Sequence, residues 1–194
     1  MVKLIGSKKI KTAVFISGSG SNLKNLISFS KLKKSPIKIK IVISSNKIAK
    51  GLNYANKFKI KKKIYNFKNK NDVENKILKK LKKNKINLIC LAGFMKILSR
   101  NFIKKFKGKI LNIHPSLLPK YKGLNTHTRA IENNEKFSGC TVHFVNSKLD
   151  SGKIILQKKV KILKDETSDS LARRILKQEH ILYPKALIKV LSNL

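Results

Sequence analysis

Residues 12–34 read TAVFISGSGSNLKNLISFSKLKK, and this stretch decides the fold. Thr12 to Ser17 is an apolar run of strand length, the pattern of a strand buried on both faces. The loop Gly18-Ser19-Gly20-Ser21-Asn22 ends it, and Leu23, Leu26 and Ile27 then recur at helical spacing. Strand, glycine loop and helix open an α/β unit. Glycines let a backbone approach a ligand closely, and a helix N-terminus offers free N–H groups to a phosphate. The loop is no P-loop, since no Gly-Lys-Ser/Thr ends it, and Leu23 stands where GxGxxG needs its third glycine. The alternative is a plain βα turn with Ser21 or Asn22 as the helix N-cap.

Outward from there the alternation continues. Strands are predicted at 37–44, 61–65, 86–92, 109–113, 140–145 and 153–162. Helices are predicted at 46–58, 72–83, 99–106, 125–133 and 171–191. Thr167 or Ser168 caps the last helix, and Pro184 is expected to kink or divide it. A short turn joins 140–145 to 153–162, which makes that pair antiparallel. The expectation is therefore a single-domain, doubly wound α/β fold over 1–194. Its Rossmann-like sheet is mostly parallel but mixed, with helices on both faces. Residues 1–11 form a basic extension leading into the first strand, which reads as a strand rather than a signal peptide.

Ligands of such sheets bind outside the carboxyl ends of the strands. Four loops follow predicted strands: 18–22, 93–98, 112–123 and 146–152. The third carries the chemistry. In ILNIHPSLLPKYKG (110–123), Asn112 and His114 are two apart on one strand, so they project from the same face. Pro115 stops the strand. A carboxamide beside an imidazole suits a developing oxyanion and a proton transfer. Ordinary loop hydrogen bonding is the plainer reading of that triplet. Most of the nine acids sit at helix ends or openings, Asp72 and Glu74 among them; Asp150 and Glu179 have no such explanation.

The formal charge is +37. Nucleic-acid binding is one reading. However, only Arg100, Arg129, Arg173 and Arg174 are arginines, so 42 of the 46 basic residues are lysines, spread along the whole chain. Bidentate phosphate clamps and base readout favour arginine. Lysine, isoleucine and asparagine abound together, as AT-rich codons would dictate, so compositional bias on solvated faces is preferred to a dedicated nucleic-acid surface. Non-specific polyanion affinity follows from the charge all the same. No apolar run approaches the ~20 residues of a membrane span. Cys90 and Cys140 form no CxxC pair and read as buried thiols in a reducing, cytoplasmic protein. No pair among His127, His143 and His180 has zinc-like spacing, so no metal is expected. Each of these three is open between a structural histidine and a site residue.

Four segments together, FISGSGSNL (15–23), LAGFMKILS (91–99), LNIHPSLLPKYKG (111–123) and VHFVNSKLDSGKIILQ (142–157), strongly resemble the phosphoribosylglycinamide formyltransferases. QEH (178–180) in the last helix adds to the likeness. The resemblance implies formyl transfer from 10-formyltetrahydrofolate, as co-substrate, to the amine of glycinamide ribonucleotide. It implies Asn112, His114 and Asp150 as the catalytic trio. Gly18, Ser19, Gly20, Ser21, Asn22 and Leu23 would hold the substrate phosphate, with Glu179 on the ribose hydroxyls. Met95, Lys96, Ile97, Leu98 and Asn112 would meet the folate, and Lys70 its tail. Small-molecule substrates are the implied partners, with no specific nucleic acid and no membrane, in a monomer or homodimer. Lys96 replaces the arginine usual in relatives, and KYKGLNTH replaces the commoner KYPGLHTH. The chain also stops soon after the last helix, where many relatives continue, which bears on C-terminal packing rather than chemistry. The alternatives are a methionyl-tRNA formyltransferase-like domain, which shares Asn-x-His-Pro, and a non-catalytic basic nucleic-acid-binding protein.

Overall fold

A computed structural model describes residues 9–192. Most of the basic extension expected over 1–11 thus lies outside the described residues, while Ile10 and Lys11 already belong to the first strand. The strands are β1 (Ile10–Ile16), β2 (Ile37–Ser44), β3 (Lys61–Ile64), β4 (Leu88–Leu91), β5 (Lys109–His114), β6 (Phe137–Phe144) and β7 (Ile154–Lys161). The helices are α1 (Ser21–Lys31), α2 (Gly51–Lys57), α3 (Lys70–Lys83), α4 (Arg100–Lys105), α5 (Thr126–Glu132) and α6 (Ser168–Leu191). The sheet order is β3-β2-β1-β4-β5-β6-β7. β1 to β5 run parallel, while β6 and β7 are antiparallel additions. The expected mixed, mostly parallel sheet is thus observed.

Strand periodicity divides the core. Val14, Ile16, Val42, Cys90 and Leu111 point to one face, under α1, α2 and α6. Ala13, Phe15, Ile43, Ile89 and Ile110 point to the other, under α3 and α4. Burial on both faces is why Ala13 to Ile16 and β4 read as continuous apolar runs, whereas β2 carries Lys38 and Lys40 in its first half, where Lys38 is exposed. The outer strands differ. β3 is Lys-Lys-Lys-Ile, exposed throughout, and β7 exposes Lys158, Lys159 and Lys161.

Three local expectations change. The helix expected over 46–58 starts only at Gly51, because Asn46 makes a turn of its own: its Oδ1 accepts from Ile48 N at 3.0 Å. α6 is unbroken through Pro184. The proline leaves the His180 carbonyl without its helical donor, and Asn25 Nδ2 from α1 supplies one at 2.7 Å. Glu74, read as one of the acids opening α3, is instead buried, and it accepts from the backbone N–H of Ser99 at 2.8 Å and from the Ser99 hydroxyl. Ser99 in turn caps α4 by accepting from Phe102 N at 3.0 Å.

Tyr183 fixes α6 to the middle of the sheet. Its hydroxyl lies 3.1 Å from Leu91 O and 3.0 Å from Leu111 O, the last carbonyl of β4 and its neighbour on β5. Leu91 also pairs with Asn112, so Ile113 and His114 run on past the end of β4. That overhang makes one wall of a cleft.

Candidate active site

The cleft is a cavity of about 920 Å³. It takes in parts of all four loops expected to meet there. Ser19, Asn22, Met95, Asn112, His114 and Asp150 are among its lining residues.

At one end is the glycine loop. The cap of α1 is Gly20 at φ 76°, not Ser21 or Asn22, which sit in the first turn. A Cβ at Gly20 would collide with the backbone of Gly51, where α2 begins. Gly51 N also donates to Gly18 O at 3.0 Å. Gly51 is a site-supporting residue that sequence reasoning missed, because it is adjacent to the loop only in space. The first turn of α1 contains no acid, so nothing offsets its dipole. Leu23 is wholly buried in the core.

Asn22 and Glu179 meet at the back of the cavity, Nδ2 donating to Oε2 at 2.7 Å. The carboxamide oxygen of Asn22 is buried with no hydrogen-bond partner, an acceptor awaiting a donor such as a ligand hydroxyl. Burial pushes the Glu179 carboxyl up to about 7, against the lowering effect of the Asn22 amide. Its unfolded value is near 4.5. As pH rises between those two values the unfolded chain releases this proton and the folded chain keeps it. The site therefore costs stability progressively across that window, with the full cost present above it. The full shift corresponds to at most roughly 3 kcal/mol. Glu179→Gln is expected to unfold later in urea than the parent at pH 8, by about 2 kcal/mol, and to show little gain at pH 5. Its new amide can also donate to Asn22 Oδ1. A variant less stable than the parent at pH 8 would refute this account of the burial.

At the other end is the 93–98 loop. Met95 and Ile97 are exposed, whereas Leu98 is buried beneath them. Phe94 anchors the loop edge-on against Phe15 and Phe67, with centroids 5.3 and 5.7 Å apart. Lys96 lines the cavity. Lys70, the first residue of α3, is exposed and does not line it.

Between the two ends lies the polar centre. Asp150 reaches it from the β6–β7 loop at φ 42°, although β6, running antiparallel, ends level with Leu111 rather than with His114. The loop doubles back to deliver its carboxylate. Asp150 Oδ2 accepts from Gly123 N at 3.0 Å and stands 3.4 Å from His114 Nδ1. Its Oδ1 accepts from Asn112 Nδ2 at 3.4 Å. His114 Nε2 lies 2.9 Å from Tyr121 O, which can only accept. Both His114 nitrogens thus face acceptors, an arrangement the imidazolium satisfies with two N–H donors.

His143, left open by the sequence, is paired with Asn112 across the β5–β6 ladder. Its Nδ1 faces Phe144 O at 2.8 Å and must carry the hydrogen. Burial lowers its basicity, outweighing the pull of Asp150, so the ring is neutral at pH 7. Nε2 is then an acceptor for Asn112 Nδ2, 3.2 Å away. The 3.7 Å approach of His143 Nε2 to Asp150 Oδ1 is accordingly not an ion pair but two acceptors sharing one amide. His143 sets which way the Asn112 carboxamide points. Of the other two open histidines, His127 lines the cavity with its Nδ1 buried and unpartnered, whereas His180 lies outside it. Among the described residues no cluster of potential metal ligands occurs.

Comparison with known proteins matches this architecture. Residues 10–187 match the formyl transferase family model. The phosphoribosylglycinamide formyltransferase of Haemophilus influenzae is 45% identical over 177 residues, covering 90% of this chain and 84% of that protein. The human trifunctional purine biosynthetic protein adenosine-3 is 43% identical over 189 residues, covering 96% of this chain but 19% of that protein. The chain thus spans about a fifth or less of the length of such trifunctional relatives. The crystal structure of phosphoribosylglycinamide formyltransferase from Brucella melitensis superposes with a TM-score of 0.89 at 43% identity, covering 94% of this chain and 96% of that one. Fold and sequence agree, and the chain belongs to the formyl transferase family.

Proposed function

We propose that this chain is a folate-dependent formyltransferase of purine biosynthesis. It transfers the formyl group of 10-formyltetrahydrofolate to the amine of glycinamide ribonucleotide. The observation that carries this reading is the single Asp150 carboxylate, which joins Asn112 and His114 in one cavity with a glycine loop and an apolar loop. The two ends suit the two substrates. Gly18 to Leu23 offer a helix N-terminus to the phosphate, and Asn22 with Glu179 offers acceptors to ribose hydroxyls. Met95, Ile97 and Leu98 offer apolar surface to a flat pterin, with Lys96 beside them on the cavity wall. Lys70, away from the cavity, is left for a long anionic tail only.

The chemistry follows from the residue types. The substrate amine attacks the formyl carbon, and negative charge grows on the formyl oxygen. Asn112 donates a hydrogen bond there, and the His114 imidazolium stabilises the charge and acts as acid. Asp150 holds the imidazolium and takes the amine proton through water; the tetrahedral intermediate then breaks its bond to folate N10, which leaves with the proton that His114 gives up. No metal and no enzyme-bound formyl intermediate is needed. The reading extends to one domain over 1–194, cytoplasmic, monomeric or homodimeric, with no specific nucleic acid as partner.

The test is an acceptor competition. The purified chain is given 10-formyltetrahydrofolate with glycinamide ribonucleotide, or with methionyl-tRNA. Formylation of the ribonucleotide alone is the expected result. Formylation of the tRNA-linked amine instead would replace this reading with the methionyl-tRNA one, and silence with both from folded protein would favour a non-catalytic binding protein.

A further inference from the structure

Ser17, the residue after β1, touches both loops that frame the cavity. Its N–H donates to Gly93 O at 3.0 Å. Its hydroxyl accepts from Met95 N at 2.9 Å and shares a 2.6 Å hydrogen bond with the Ser45 hydroxyl. Its carbonyl accepts from Asn46 Nδ2 at 3.3 Å. Among the described residues, the backbone of 93–98 makes its hydrogen bonds to Ser17 alone. That loop otherwise hangs from Ala92, bonded to Phe15 O, at one end and from Ser99, held by Glu74, at the other. On its C-terminal side Ser17 runs directly into Gly18, the first residue of the glycine loop. The Gly18 carbonyl accepts from Gly51 N at 3.0 Å, so a ligand on the glycine loop bears on backbone tied to Ser17 by the chain and to α2 by that bond.

We infer that Ser17 is a positioning residue that couples the two substrate sites, so that a ribonucleotide on the glycine loop tightens folate binding on the 93–98 loop. The inference rests on the function proposed above. An anion settling on Gly18 to Ser21 fixes the peptide that follows Ser17. Fixing Ser17 fixes the acceptor for Met95 N–H, and with it the backbone register of an apolar loop whose other anchors are side chains, Phe94 and Leu98. A folate that binds afterwards finds that loop already ordered, which is positive coupling without any large movement. By linkage the folate must tighten the ribonucleotide by the same factor. Among the described residues Ser17 makes no hydrogen bond to Asn112, His114 or Asp150, so its effect belongs to binding and not to the chemical step.

The experiment uses the full chain and two ligands that cannot react, glycinamide ribonucleotide and tetrahydrofolate without its formyl group. Tetrahydrofolate affinity is measured by calorimetry with and without saturating ribonucleotide. The parent is expected to bind tetrahydrofolate about fivefold tighter with the ribonucleotide present, at the lower end of usual coupling factors. Ser17→Ala is expected to bring that factor to about one and to raise the folate KM several-fold, with kcat changed less than about threefold. Ser17→Thr, which returns the hydroxyl, should restore the coupling, separating the role from a merely structural one. Independent binding in the parent, or undiminished coupling in Ser17→Ala, would overturn the inference and leave the proposed function standing. Failure of the parent to bind either ligand would overturn both.

Discussion

Asp150→Asn is expected to lower kcat for formyl transfer by about a thousandfold or more, while both KM values stay within a few-fold. The substitution is nearly isosteric, and asparagine tolerates the left-handed backbone that Asp150 adopts at φ 42°. What changes is the hydrogen-bonding sign. The three groups within reach, Gly123 N–H, Asn112 Nδ2 and His114 Nδ1, all present donors when His114 is charged. A carboxylate accepts from all of them. A carboxamide turns an NH₂ on one of them and withdraws the charge that holds the imidazolium. The side chain is only 9% exposed, so water does little to mask the loss. Steady-state kinetics beside a thermal melt decides the matter. A loss under tenfold, in protein that melts like the parent, would remove Asp150 from the mechanism.

Asn112→Ala is expected to cost about a hundredfold to a thousandfold in kcat, the usual scale for deleting one oxyanion donor. The argument depends on orientation. Because His143 presents a lone pair at Nε2, 3.2 Å away, and Asp150 presents another at 3.4 Å, the NH₂ edge of Asn112 is committed to the cavity side. Donating to the formyl oxygen as it becomes charged costs only the long 3.4 Å contact to Asp150, while the bond to His143 keeps the amide in place. Alanine leaves the oxygen to His114 alone. Should Asn112→Ala retain kcat within about fivefold, oxyanion stabilisation would pass entirely to His114.

Much of this was legible in the chain. Strand-loop-helix at 12–34 and the apolar run at 86–92 are plain to read, because strands buried on two faces admit little else, and 37–44 shows the alternation of a strand whose first half is open on one face. Asn112 and His114 were readable as a same-face pair for the same geometric reason. Other features depend on neighbours distant in sequence. Gly51 supports the glycine loop from across a strand crossover, and nothing near residue 51 announces it. Glu74 looked like an acid opening a helix, yet its partner Ser99 lies 25 residues away. His143 could be assigned only through the β5–β6 register, which sets it opposite Asn112. Pro184 was expected to kink or divide α6, and it does not divide it, because Asn25 from another helix accommodates the freed carbonyl. The Rossmann-like frame was local information, whereas the support of the site was not.

The lysines of the outer strands have a meaning beyond charge. A sheet that ends in an open strand offers unpaired backbone to the next copy of itself, and isoleucine-rich strands would make that pairing sticky. Here β3 and β7, the strands with a free side, carry Lys61, Lys62 and Lys63 and Lys158, Lys159 and Lys161. Any incoming strand must bury or crowd ammonium groups. The same composition that fills the interior with isoleucine places lysine at the margins, and what looks hazardous strand by strand is self-limiting in the assembled sheet.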